Sequence, residues 1–166
     1  MSLTILRQRL LRPRPLYLGV GLVCAALIGF GIFLQEIDHL EPCPLCILQR
    51  YAYVAVGAAA LLAAALPQLP GRIVAAVGIV VALCGAGVGV WHVWLQLHPP
   101  AVSSCGPSLE YLVSNLPLGR ALPRIFQGYG DCSAIDWSFL GLTIPGWSLI
   151  CLLTLALLLA FAQGRR

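Results

Sequence analysis

The stretch EPCPLCILQRYAYVAVGAAALLAAAL, residues 41–66, joins a pair of cysteines to the start of a long apolar run. Cys43 and Cys46 are two residues apart, and such a pair can close a small, strained disulfide or lower the pKa of a thiol. The same motif also serves as a structural disulfide, as half of a zinc site or as a haem anchor. A c-type haem needs His directly after the second cysteine, where this chain has Ile47. Thiol–disulfide chemistry is therefore favoured, and zinc would need two further ligands.

The composition is that of a membrane protein. Of the 166 residues, 60% are hydrophobic and 10% are charged, which would leave too much apolar surface for a fold in water. The ten basic residues are all arginines. Because they cluster at the ends of apolar runs, where they set membrane topology, nucleic-acid binding is not expected.

Four apolar segments are each long enough to cross a hydrocarbon core of about 30 Å as a helix. These segments are residues 16–34, 47–66, 73–97 and 143–162, with loops at 35–46 and 98–142 and a Pro/Gly turn at 67–72. The basic start also resembles a signal peptide, but the first run is long and no cleavage pattern follows it. The prediction is an all-α integral membrane protein, a four-transmembrane-helix bundle that forms a single membrane domain over residues 1–166.

The arginines predict the orientation of this bundle. Four spans place both termini on one side, and if that side is the cytoplasm it holds seven arginines: Arg7, Arg9, Arg12, Arg14, Arg72, Arg165 and Arg166. The other side holds three arginines and all six acidic residues, which is a positive-inside pattern. Four cysteines then lie outside the cytoplasm, where disulfides persist: Cys43, Cys46, Cys105 and Cys132. The other three, Cys24, Cys84 and Cys151, fall within apolar runs and are expected to act as small hydrophobes.

The second outer loop, residues 98–142, contains its own pattern. Leu109, Leu112, Val113 and Leu116 follow helical spacing between two prolines, which predicts a short amphipathic helix on the membrane surface. The alternative is a loop with scattered apolar residues. Cys105 precedes this segment and Cys132 follows it, so the two thiols could serve exchange reactions or could simply staple the loop.

Two ionisable residues lie inside the predicted spans, Arg50 and His92. Counted from the outer end, both lie about 6–8 Å below the surface. Arg50 could snorkel to the headgroups and His92 could be a core histidine with its hydrogen bonds satisfied. The favoured interpretation is that both bind the polar headgroup of a lipid-soluble molecule beside the cysteine pair.

The motifs resemble those of the bacterial disulfide bond formation protein B (DsbB) family. The shared features are Pro-Cys-x-Leu-Cys at residues 42–46 with Arg50, the Gly-Asp-Cys sequence at 130–132, and an aromatic region at Trp137, Phe139, Leu140 and Gly141. Pro145 and Trp147 also fit, and the resemblance covers about residues 16–163.

This resemblance implies a function and roles for the residues. The protein would be an inner-membrane thiol:quinone oxidoreductase that reoxidises a periplasmic DsbA-type oxidase. Cys105 and Cys132 would form the disulfide that oxidises the partner, and Cys43 and Cys46 the disulfide next to the quinone. Arg50 would stabilise charge on Cys46 or on a ubiquinone or menaquinone, with His92 near the same headgroup. Electrons would pass between the pairs by an exchange of Cys132 with Cys43.

Two other functions stay open at this stage. An enzyme of the vitamin K epoxide reductase type is also a small helical bundle, but its quinone-proximal cysteine pair lies in a late span, whereas here the pair precedes the second. A non-catalytic membrane subunit could use the four outer cysteines as structural disulfides or as a zinc site. Because no second Cys-x-x-Cys or histidine cluster accompanies Cys105 and Cys132, no metal is expected.

Overall fold

The computed structural model describes residues 13–37, 39, 42–99, 132–135 and 137–165. These residues form helices α1 (Pro13–Ile37), α2 (Pro44–Ala65), α3 (Gln68–Leu97) and α4 (Ile144–Gly164), with strands β1 (Ser138–Phe139) and β2 (Leu142–Thr143) before α4. All four helices are long and apolar enough to cross a membrane. The predicted all-α, four-helix membrane fold is confirmed. The amphipathic helix predicted around residues 107–117, and Cys105, lie outside the described residues.

The helices pack in an up-and-down bundle. Helix α3 packs along both α2 and α4, and α1 packs mainly on α2 with a smaller contact to α4. The buried core consists of side chains such as Tyr17, Val56, Leu152 and Leu159. The outer faces carry apolar side chains that are largely exposed, including Leu22, Val80 and Leu157. An apolar exterior around a packed interior suits a lipid environment.

The connection between α2 and α3 is shorter than the Pro/Gly turn expected at residues 67–72. Helix α3 begins at Gln68, directly after its N-cap residue Pro67, and the Gly71 N–H donates to the Pro67 carbonyl at 2.9 Å. Pro70 is tolerated because N–H groups in the first turn have no partner within the helix. The prediction of a turn is therefore wrong for residues 68–72, which form the start of α3.

Close packing between α2 and α3 depends on a missing side chain at Gly85. A Cβ atom at that position would lie 2.7 Å from the Ala52 Cβ and 3.1 Å from the Leu152 Cδ1. Gly87, two residues later, has no heavy atom within 4 Å of the equivalent position. Close approach of the helices therefore requires glycine at Gly85 and not at Gly87.

A two-stranded hairpin, which the sequence pattern did not predict, precedes α4. Ser138 pairs with Thr143 and Phe139 with Leu142, across a turn in which Leu140 and Gly141 have φ of 53° and 80°. Positive φ at both central residues is the pattern of a type I′ hairpin turn, which usually uses Asn or Gly. The Trp147 Nε1–H donates to the Phe139 carbonyl at 3.1 Å. This bond fixes the hairpin over the start of α4.

Candidate functional site

The cysteine pair is built into the N-terminus of α2. Cys43 is the N-cap residue, Pro44 is the first helical residue, and the Cys46 N–H donates to the Cys43 Sγ at 3.4 Å. Pro44 suits this position because its fixed φ is helical and its missing N–H would have no partner there. The Cys43 Sγ–H in turn donates to the Cys46 Sγ, 3.4 Å away. The two sulfur atoms are therefore held in contact at a helix end whose dipole favours negative charge.

His92 reaches the same pair from α3. Its Nε2 lies 3.5 Å from the Cys43 Sγ, and the side chain is 2% exposed. The Nδ1 atom makes no hydrogen bond within the described residues, although the main chain of Cys132 is close to the ring. His92 thus contacts the thiol pair directly.

Cys132 also contacts Cys43. It is 3% exposed, and its thiol forms a hydrogen bond with the Cys43 thiol. The segment that carries it is held by Gln96 of α3, whose Nε2–H donates to the Ala134 carbonyl at 3.1 Å. The Gln96 Oε1 accepts from the Thr143 hydroxyl at 2.7 Å. Cys43 consequently contacts both of the other thiols.

Cys43 is held as a neutral thiol in this state. The hydrogen bond with Cys132 lowers its pKa, whereas the hydrogen bond with Cys46 and burial raise it, with a net rise to about 12. A thiol with this pKa stays protonated at neutral pH and can keep donating to Cys46. Cys43 and Cys46 are both free thiols in this structure.

Arg50 points into the bundle and is held by α1. Its guanidinium donates to the Gln35 Oε1 at 3.0 Å, and the side chain is partly buried. Because Arg50 follows Cys46 by one helical turn, its charge also interacts with the Cys46 sulfur. The side chain is therefore positioned beside the cysteine pair.

An apolar cavity of about 470 Å³ opens next to these groups. Cys43, Cys46, Arg50 and His92 all line it. The remaining wall is mostly apolar or aromatic and includes Leu27, Phe30, Ile144, Trp137 and Trp147. A cavity of this size, with an apolar wall and a few polar groups, is typical of a small-molecule site.

The structure brings together most of the predicted site residues. Cys43, Cys46 and Cys132 are in contact, and Arg50 and His92 face one cavity from different helices. The sequence alone could not show this, because it gave their depth and not their direction.

Three glutamines at the site were missed by the sequence analysis: Gln35, Gln49 and Gln96. Gln49 is 4% exposed, lines the cavity, and its Nε2 has no hydrogen-bond partner among the described residues. A signal for it was present, since Cys46, Gln49 and Tyr53 follow i, i+3, i+7 spacing along one face of α2.

Fold and site together define a membrane-embedded thiol oxidoreductase, with thiols at the mouth of an apolar cavity. The chain matches the family model described as "Disulfide bond formation protein DsbB" over residues 13–162. It is 49% identical over 157 residues to disulfide bond formation protein B of Aromatoleum aromaticum, which covers 92% of this chain and 93% of the relative. The protein of that name from Azoarcus sp. is 49% identical over 156 residues, with 92% and 94% coverage. That from Nitrosococcus oceani is 43% identical over 152 residues, with 90% and 89% coverage.

The chain belongs to the DsbB family. It is therefore a multi-pass protein of the bacterial inner membrane and a disulfide-forming oxidoreductase, as its sequence predicted. Members of this family work with a DsbA-type partner and pass electrons to a quinone.

The cavity fits a quinone headgroup. Its wall is largely apolar, and it contains the buried Gln49 Nε2, a donor that has no partner among the described residues. A buried N–H without an acceptor is unfavourable, and a quinone carbonyl oxygen would supply that acceptor. Arg50 also lines the wall and adds a positive charge to it.

Proposed function

We propose that this protein transfers electrons from a periplasmic DsbA-type dithiol through Cys105–Cys132 and Cys43–Cys46 to a quinone in the cavity. The observation that carries the proposal is the contact of Cys43 with both Cys132 and Cys46. Cys132 forms a hydrogen bond with Cys43, and Cys43 lies 3.4 Å from Cys46, which lines the cavity. Thiol–disulfide exchange requires this kind of contact between the attacking, central and leaving sulfur atoms.

The relay begins at the loop disulfide. A thiolate of the reduced partner attacks the Cys105 sulfur, forms a mixed disulfide and releases Cys132 as a thiolate. The second thiol of the partner then forms the partner's own disulfide and releases Cys105. The partner is now oxidised, and Cys105 and Cys132 are both reduced.

The second exchange uses the contact between Cys132 and Cys43. The Cys132 thiolate attacks the Cys43 sulfur, so that a Cys43–Cys132 disulfide forms and Cys46 leaves as a thiolate. The helix N-terminus and the charge of Arg50 both stabilise negative charge at Cys46. Attack by Cys105 on Cys132 then restores the loop disulfide and leaves Cys43 and Cys46 as the reduced pair.

The cavity holds the final acceptor, a quinone, which takes up two electrons and two protons in becoming a quinol. Gln49 and Arg50 would bind it through hydrogen bonds to its oxygens, and the apolar wall would exclude water. Cys46 would face its ring, while Cys43 keeps its proton until the disulfide re-forms. His92, 3.5 Å from the Cys43 sulfur, is placed to accept that proton.

The proposal includes an orientation, a partner and a quinone class. Both termini of the single membrane domain lie in the cytoplasm, and residues 35–46 and 98–142 face the periplasm. The partner is a thioredoxin-fold oxidase of the DsbA type, and the acceptor is ubiquinone or menaquinone.

The experiment that tests the relay mixes the purified protein with a reduced DsbA-type partner and a soluble ubiquinone. Quinone reduction should proceed in the wild type and in Cys84→Ser, whose residue is an exposed thiol away from the site. It should fall to background in Cys46→Ser and in Cys105→Ser. Turnover that persists in Cys105→Ser would show that the loop pair is dispensable.

A trapping variant tests the central contact. With Cys46→Ser and Cys105→Ser combined, Cys132 and Cys43 are the only site thiols left, and we expect them to form a disulfide under mild oxidation. Peptide mass spectrometry would identify it. If Cys43 pairs with another cysteine instead, the order of sulfur atoms proposed here is wrong.

A further inference from the structure

The thiols of Cys43 and Cys46 and the imidazole of His92 together offer three atoms that commonly bind metal ions. The Cys43 Sγ, the Cys46 Sγ and a ring nitrogen of His92 all lie within 4.8 Å of one another. The Cys43 Sγ is 3.4 Å from the Cys46 Sγ and 3.5 Å from the His92 Nε2. The sequence indicated no metal because it offered no histidine near the cysteines, and it is the packing of α3 on α2 that brings one there.

These separations match a tetrahedral zinc site. With Zn–S of about 2.3 Å and Zn–N of about 2.0–2.1 Å, ligand atoms lie about 3.8 Å (S to S) and about 3.6 Å (S to N) apart. The two distances in the structure, 3.4 Å between the sulfur atoms and 3.5 Å from sulfur to nitrogen, are shorter than these by a few tenths of an ångström or less. A cation could therefore enter among the three atoms with only small shifts of the side chains.

Cys132 is not a member of this group of mutually close ligand atoms. Its main chain interacts with the imidazole of His92, and a main-chain contact of this kind commonly orients a metal-bound histidine. The set is therefore two sulfur atoms and one imidazole nitrogen, which leaves the fourth tetrahedral position open, as in zinc sites with two cysteines and one histidine.

The charges are also suitable. Two thiolates balance the charge of one divalent cation, so the occupied site would carry no net charge. Charge balance matters here because an uncompensated charge in a buried site is costly.

We propose that the fully reduced protein binds one zinc ion through Cys43, Cys46 and His92. Binding exchanges thiol protons for the metal and transfers no electrons. A disulfide has no thiolate to offer, so metal binding and oxidation of the pair exclude each other. A soft divalent cation would thus hold the enzyme in its reduced form and slow its reoxidation reversibly. This inference goes beyond the proposed relay and does not depend on the partner or on the type of quinone.

The test uses Co²⁺ as a spectroscopic substitute for Zn²⁺, with the full-length protein reduced and kept anaerobic in detergent. We expect one equivalent of Co²⁺ to give the strong visible bands of a tetrahedral site with thiolate ligands, and one equivalent of Zn²⁺ to remove them. The oxidised protein should give no such bands.

Variants distinguish a specific metal site from non-specific binding of the metal to thiols. Cys46→Ser and His92→Gln should each weaken Co²⁺ binding about tenfold or more, while Cys84→Ser should bind like the wild type. Thermal unfolding of each variant in detergent checks that it is folded. Binding that is unchanged in both Cys46→Ser and His92→Gln would overturn the proposal, and so would the absence of stoichiometric binding to the folded wild type. Turnover with partner and quinone in metal-free buffer reports separately on the relay.

Discussion

At the scale of single residues, the two thiols of the Cys-x-x-Cys pair have different environments. Cys43 is buried, caps the helix and donates to Cys46, while Cys46 lines the cavity within reach of the Arg50 charge. In the proposed relay these positions give the two thiols different roles: Cys43 would exchange with Cys132, and Cys46 would face the electron acceptor.

The raised pKa of Cys43 predicts slow alkylation in the reduced protein. With a pKa of about 12, about one molecule in ten thousand carries the thiolate at pH 8, against about a quarter for an ordinary cysteine. We expect Cys43 to react with iodoacetamide about a thousandfold more slowly than free cysteine, and the rate to rise ~10-fold per pH unit as the thiolate fraction grows. Mass spectrometry of the peptide that contains residues 42–50 measures this rate.

Unfolding the protein in denaturant provides the control, because Cys43 should then react at an ordinary rate. If it reacts as fast as free cysteine in the folded protein at pH 8, the hydrogen bond to Cys46 and the burial described here do not control its ionisation.

Gln49 allows a test of the quinone site that separates binding from stability. Gln49→Met keeps the volume and removes the buried Nε2–H group, which has no partner among the described residues. If that group donates to a quinone oxygen, its loss costs about 1 kcal/mol and raises the KM for quinone about fivefold. Thermal stability without quinone should be unchanged or higher. A variant with unchanged KM would remove Gln49 from the site.

At the scale of elements, the sequence predicted the four helices because each apolar run is continuous and long. The start of α3 was predicted too late, because Pro70 and Gly71 are typical turn residues. The first turn of a helix also accepts both of them, and α3 begins at Gln68. The hairpin was not predicted because Leu140 adopts a positive φ that side chains rarely take. The site residues were largely predicted, but their convergence depends on how α2 and α3 are rotated, which no single-chain pattern specifies.

The packing of α2 on α3 makes a matched pair of predictions for two glycines of α3. Gly85→Ala would place a methyl group 2.7 Å from the Ala52 Cβ, and overpacking of this kind costs about 1–3 kcal/mol. Gly87→Ala meets no atom within 4 Å and should leave stability unchanged or raise it by up to about 1 kcal/mol through helix propensity. Thermal unfolding in detergent compares them. Equal effects would mean that the two helices do not approach as described.

At the scale of the whole molecule, the redox site and most of the arginines lie at opposite ends of the bundle. The site residues Cys43, Cys46, Arg50 and His92 lie where α2 begins and α3 ends. At the other end, Arg72 and Gln163 join α3 to α4 through two hydrogen bonds to main-chain carbonyls, at 3.4 and 3.2 Å. Since the helices alternate in direction, the arginines near the chain ends and at the α2–α3 connection share one side. The redox site is thus held on the side where positive charge is sparse.

This asymmetry predicts the orientation in the membrane, which fusion proteins can measure. Alkaline phosphatase is active only after export, so a fusion after Pro99, at the redox end, should be active and a fusion after Arg166 should stay at background. Green fluorescent protein fused after Arg166 should fluoresce, because it folds in the cytoplasm. The reversed pattern would place Cys43, Cys46 and Cys132 in the reducing compartment, where glutathione and thioredoxin keep thiols reduced. An oxidase facing that side could not accumulate oxidised partner, so the proposed relay requires the cysteines to face the periplasm.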